Sequence, residues 1–126
     1  MARFRYRMQS ILNIKIKMEE QAKMEFAAAR IRLDEEEEKL QVLFNRKESY
    51  ESEGRKLRKE SLKVLDILEN RDAIAIMDEF ILFQKQQVKL AEDNLEAARL
   101  KLQLARQESK THERLREKAF EVFMHE

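Results

Sequence analysis

A chain folds back on itself where it has residues that turn, and this one has almost none: one glycine and no proline in 126 residues. Proline presets φ and glycine reaches positive φ without strain, so turns concentrate where these two occur. The single glycine, Gly54, sits near the middle, in Tyr50-Glu51-Ser52-Glu53-Gly54-Arg55-Lys56. One interruption between two turn-free stretches predicts two long helices folded into a hairpin. The fold class that follows is all-α, an antiparallel coiled coil of two helices.

Composition decides between this hairpin and a disordered chain. Charged residues make up 40% of the sequence, far above the roughly 25% of a globular domain. High charge alone would suggest disorder. Here 26 basic residues face 25 acidic ones, so self-repulsion is small, and 43% of the chain is hydrophobic. Straight-chain helix formers dominate, and they lose little rotamer freedom in a helix. A seam between two helices needs only two positions in seven, which this composition supplies.

The periodicity can be followed residue by residue. In the first half, steps of three and four from Leu12 pass through Lys15, Glu19, Ala22, Phe26, Ala29, Leu33, Glu36, Leu40, Leu43, Lys47 and Tyr50. That is an apolar seam with charged gaps. In the second half the series is cleaner: Ile74, Met77, Ile81, Gln84, Val88, Ala91, Leu95, Ala98, Leu102, Ala105 and Ser109. A strict seven-residue spacing joins Ile74, Ile81, Val88, Leu95 and Leu102, which is a coiled-coil heptad. Alanines at alternate seam positions should let the partner helix come close. Phe83, Leu90, Ala97 and Leu104 follow beside the seam and should widen the buried face.

The expected layout is a single coiled-coil rod over residues 1–126, with helix 1 over about 3–52, a linker over about 53–70 and helix 2 over about 71–124. Two readings of the linker stay open. Leu57, Leu62, Leu65 and Leu68 recur at helical spacing, which suits a short helix over 56–69 folded across the tip. Asn70 or Asp72 would then cap the next helix. Alternatively, helix 2 runs on from about residue 56. In an antiparallel pair, Tyr50 should face about Ile74, Leu12 about His112, and Phe4 should meet Phe120. The two chain ends would then close in an aromatic base of Phe4, Tyr6, Phe120, Phe123 and Met124.

Enzyme chemistry finds no foothold. A nucleophile needs a base within reach and a phosphate cradle needs a glycine-rich loop. The chain has no cysteine and two histidines, His112 and His125, neither with a second histidine one turn away. They read as solvated side chains rather than zinc ligands, and no cofactor, catalytic residue or small-molecule substrate is expected. The acidic run Asp34-Glu35-Glu36-Glu37-Glu38 points all round a helix, whereas calcium needs a loop that turns its ligands inward. It reads as a solvated face, helped by a Glu35–Lys39 pair. No apolar run reaches the length of a membrane span. The segment from Met1 to Met18 carries Arg3, Arg5, Arg7, Lys15 and Lys17 and no acid. That is transit-peptide-like, but its apolar pattern runs on into the seam, so it belongs to helix 1. Arg55, Lys56, Arg58 and Lys59 form a second basic cluster. The even charge balance argues against a nucleic-acid partner and favours a local acidic protein surface. Binding to a membrane surface or to nucleic acid through the basic ends is the competing class.

The opening Phe4-Arg5-Tyr6-Arg7-Met8-Gln9-Ser10-Ile11-Leu12-Asn13-Ile14-Lys15, followed by Glu19-Glu20-Gln21-Ala22, resembles the start of the FliJ family of flagellar type III export proteins. The stretch Met77-Asp78-Glu79-Phe80-Ile81-Leu82-Phe83-Gln84 resembles that family's second helix. The resemblance implies a non-enzymatic, cytoplasmic protein of bacterial flagellum biogenesis, and so of motility and chemotaxis, peripherally associated with the inner membrane at the flagellar base. It implies a stalk-like coiled coil in the pore of the flagellar export ATPase, linked to the export gate membrane protein and to export chaperones. Arg3, Phe4, Arg5, Tyr6, Arg7, Phe120 and Phe123 would then lie at the ATPase end. Leu43, Tyr50 and Phe80 match a partner-binding patch near the tip, which Gln84, Gln87 and Ala91 shift toward Phe83. The alternative is a generic coiled-coil adaptor or chaperone without an export role.

Overall fold

A computed structural model describes residues 2–60 and 63–126. It contains two long helices, α1 (Gln9–Glu60) and α2 (Val64–His125), packed against each other as an antiparallel hairpin. Among the described residues there are no strands. The helices pair in two units. One joins residues up to Arg30 with those from Asn94 onward, and the other spans Ile31–Asp93.

The 3/4 spacing marks the seam in both units. Every position in the two series traced above is buried or half-buried, with Leu12, Ala22, Leu33, Met77, Ile81, Ala91 and Leu102 the most enclosed apolar ones. The flanking series is corrected. Phe83, Leu90, Ala97 and Leu104 are exposed, because two helices alone cover only the narrow a/d stripe and a wider face needs a third element.

Gly54 does not break the helix. It lies inside α1, buried against Asn70 of α2, and no described residue, Gly54 included, has a positive φ. The reason for glycine is close approach. Asn70 Nδ2 donates to the backbone carbonyl of Tyr50 at 2.8 Å, one turn before Gly54, and its side chain fills the space a Cβ would take. The 3/4 series simply continues through Tyr50, Gly54 and Leu57. The linker over 53–70 and the cap at Asn70 are therefore corrected: α1 runs to Glu60, α2 begins at Val64, and no separate tip helix exists among the described residues. Residues 61 and 62 of that linker lie outside the described residues.

Alanine normally stabilises a helix interior over glycine by about 1 kcal/mol. Here the sign reverses. The added methyl overlaps Asn70 Oδ1 and sits 3.2 Å from its Cγ. Asn70 must swing away, leaving a buried amide unpaired, which costs about 1–3 kcal/mol. Gly54→Ala is expected to lower the melting temperature, and adding Asn70→Ala to restore it. A stabilising Gly54→Ala would refute the close-approach account.

A second polar layer lies in the unit spanning Ile31–Asp93. Gln84 Nε2 donates to the Glu36 backbone carbonyl at 2.9 Å and to Glu36 Oε2 at 2.5 Å. Glu36 is thus a seam residue rather than part of a solvated face. It also corrects the expected Lys39 pairing: Lys39 reaches Glu36 at 3.4 Å, and Arg32 approaches the same oxygen at 3.1 Å. The hydrogen bond from Gln84, then the charges of Lys39 and Arg32, hold the Glu36 carboxyl below the ordinary 4.5 against the opposing effect of desolvation. A depressed folded-state pKa gives stability that is complete above the ordinary carboxylate range and lost as pH falls through the folded value. Melting temperature should therefore fall on acidification below about pH 4.5, and Glu36→Gln should flatten that dependence. An identical pH profile in the variant would show that Glu36 does not carry it.

Candidate functional site

Two regions bring the sequence-predicted residues onto the surface, one in each unit. In the first, the chain before α1 is not helical. Residues 2–6 are irregular and a turn at 7–8 leads into the helix, with the Gln9 N–H bonded to the Tyr6 carbonyl at 3.1 Å. The expected start of helix 1 near residue 3 is corrected accordingly. The signal lies in a period of two: Phe4 and Tyr6 are half-buried, while Arg3, Arg5 and Arg7 are exposed. Alternation of this kind suits an extended segment lying on a surface.

That surface is the end of α2. Phe4 packs edge-on against Phe120, with ring centroids 5.1 Å apart, and lies 5.5 Å from Phe123. The expected facing of Phe4 and Phe120 is thus observed. Arg116 also braces the segment, its guanidinium 5.4 Å from the centroid of the Phe4 ring and its Nε donating to Gln9 Oε1 at 2.9 Å. Arg3, Phe4, Arg5, Tyr6 and Arg7 line one open groove with Ala119, Val122, Phe123 and Glu126. Farther along, Lys15 pairs with Glu108 at 2.9 Å and Lys101 with Glu25 at 2.8 Å, which fixes the helices side by side. His112 departs from its solvated reading. It follows Ser109 in the seam series, is half-buried, and its Nδ1 is enclosed with no hydrogen-bond partner among the described residues.

In the second unit the four tip residues are not gathered into one patch. Leu43 is half-buried in a groove with Val42, Arg46 and Gln84, and Tyr50 in another with Leu57, Asp66 and Asn70. Phe80 and Phe83 point away, 51% and 60% exposed, and no linker helix covers them. Ile76 and Leu90 extend these rings into an exposed stripe along α2. Sequence reasoning passed over Ile76, although it precedes Phe83 by one heptad. It also missed Phe44, a partly exposed ring with the Lys85 ammonium 5.7 Å from its centroid. Lys47 bridges to Asp78 at 2.6 Å nearby, and this bond holds the lysine's pKa above its ordinary value.

The sequence profile of the family described as Flagellar FliJ protein matches residues 4–126. The chain belongs to that family. The match takes in both the aromatic–arginine start and the Phe80 stripe. Membership in the FliJ family carries a role in flagellar protein export, and the family is a non-catalytic component of that system. No curated protein and no solved structure gave a match. No described helix is long and apolar enough to cross a membrane, and no group of acidic, histidine or cysteine side chains among the described residues could hold a metal ion.

Proposed function

We propose that this FliJ-family chain is the stalk of the flagellar export ATPase, with its paired ends inserted in the ATPase ring and its α2 stripe turned to the export gate. The observation that supports this reading most directly is the packing of Phe4 on Phe120 and Phe123. It ties both chain ends into one apolar base while leaving Arg3, Arg5 and Arg7 exposed. A seam has no use for three outward arginines, whereas a ring lined by acidic loops does, since guanidinium pairs with carboxylates through two parallel hydrogen bonds. Phe4, Tyr6, Phe120 and Phe123 shape that end, and the arginines recognise the ring. The protein then works in the cytoplasm, held at the inner membrane of the flagellar base through the gate, and export chaperones dock on its exposed helix faces.

Purified export ATPase is the test. The chain should bind it and raise its rate of ATP hydrolysis, with binding weakened by added salt. Arg3→Glu/Arg5→Glu/Arg7→Glu should lose at least about tenfold in affinity, a little over 1 kcal/mol, with unchanged helicity. Binding of the triple variant at wild-type strength would refute the assignment of this end to the ATPase.

A further inference from the structure

The unit that joins residues up to Arg30 with those from Asn94 onward carries a second cationic surface, separate from the chain start. Lys23, Arg99, Arg106 and Lys110 line one groove of about 470 Å³, together with Gln103, Gln107 and the half-buried ring of Phe26. No acidic side chain lines it. Two of the cations already have a carboxylate at hand: Lys23 reaches Glu19 at 3.3 Å and Arg99 pairs with Glu96 at 2.6 Å. Arg106 and Lys110 are exposed and form no ion pair among the described residues, although Glu113 stands one turn beyond Lys110. Arg106 has no acid three or four residues away on its own helix, only Leu102, Gln103, Ser109 and Lys110. The positive charge of this groove is therefore unanswered where it is densest.

The order of these residues matters as much as their sign. Arg99, Gln103, Arg106 and Lys110 follow one another in steps of four, three and four, which makes a single row along α2 about 16 Å long. A row with helical spacing is matched by another helix laid alongside it. We propose that the groove receives a helix of a partner protein whose glutamates or aspartates recur at three- and four-residue steps, with an aliphatic side chain beside them touching Phe26. Guanidinium and ammonium groups form charge-assisted hydrogen bonds with carboxylates, and the Gln103 and Gln107 amides donate to the same oxygens. A free phosphate compound is a poorer match. Phosphate cradles offer free backbone N–H groups at a helix start or a glycine-rich loop, whereas this groove lies mid-helix, where each N–H is bonded one turn back. A bilayer is a poorer match too. Its flat surface meets projecting apolar groups, and here Phe26 and Leu102 are recessed among the cations. The inference goes beyond the stalk assignment, because it uses neither Arg3, Arg5 and Arg7 nor the Phe80 stripe.

The test titrates the full chain into a fluorescently labelled synthetic helix with glutamate at i, i+4, i+7 and i+11 and leucine beside them. A helix of the same composition, its glutamates spread round all faces, is the control and should bind at least about tenfold more weakly. Arg106→Gln/Lys110→Gln should weaken binding of the first helix about tenfold at unchanged helicity, each exposed pair being worth about threefold. Arg3→Gln/Arg5→Gln/Arg7→Gln should bind it as the parent does, so that failure here and failure at the ATPase end read separately. Equal binding of the two helices would reduce the effect to unspecific charge attraction and overturn the proposal. Parent-like binding by Arg106→Gln/Lys110→Gln would overturn it as well. Displacement of the helix by equimolar tripolyphosphate, or by phosphatidylglycerol vesicles, would give the groove to phosphate groups and overturn it too.

Discussion

Leu33→Asp should unfold the hairpin, whereas Ile31→Asp, two residues earlier on the same helix, should leave it nearly intact. Leu33 is 7% exposed and Ile31 is 59% exposed, so the same carboxylate enters the seam in one variant and water in the other. The buried charge meets a site whose nearby groups are already taken: the cations Arg32 and Lys39 and the Gln84 amide are engaged by Glu36, three residues on and on the same face of α1. Desolvation and like-charge repulsion then act together, and the expected loss exceeds about 4 kcal/mol, most of the stability of a small domain. Ile31→Asp should cost less than about 1 kcal/mol, mainly from repulsion with Glu35 one turn away. Thermal melts followed by circular dichroism separate the two. Equal melts would mean that the seam lies on another face of α1.

The seam is legible because helices packed side by side bury a stripe that repeats every three or four residues. It holds even at the polar positions Gln84 and Ser109, which are buried, whereas Glu36 falls both in the 3/4 series and in an acidic run that reads as solvated, and only the structure decides for the seam. Gly54 was misread for the opposite reason. Glycine has two uses, a reversal of the chain and a close approach, and composition alone cannot separate them. Spacing could have, since Gly54 and Leu57 prolong the 3/4 series of α1 while Ile67 and Asn70 prolong that of α2. The extended start was hidden by a helical pattern that holds only from Met8 onward. Its alternation of arginine with aromatic rings was the stronger local signal. Exposure of the Phe83 series could not be read from α2 alone, because the same heptad serves a two-helix seam or a larger bundle. Only the count of packed partners decides.

That unfilled side of α2 makes the last expectation a demanding one. Phe80→Ala/Phe83→Ala should leave the folding stability within about 1 kcal/mol of the parent, because neither ring enters the seam and surface changes are small. Gate binding should fall by about a hundredfold or more, since aromatic anchors near the centre of an interface commonly carry 2 kcal/mol or more each. Leu43 and Tyr50 should behave differently. Both are half-buried in grooves along the seam, so their alanine variants should lose stability and gate affinity together. The contrast is what gives the experiment its force. A ring pair whose removal costs binding and not stability is a docking site. A pair whose removal unfolds the hairpin is packing after all, and a pair whose removal does neither leaves the stripe of Ile76, Phe80, Phe83 and Leu90 without a role at the gate. Purified export-gate cytoplasmic domain, titrated against parent and variants at matched helicity, distinguishes the three.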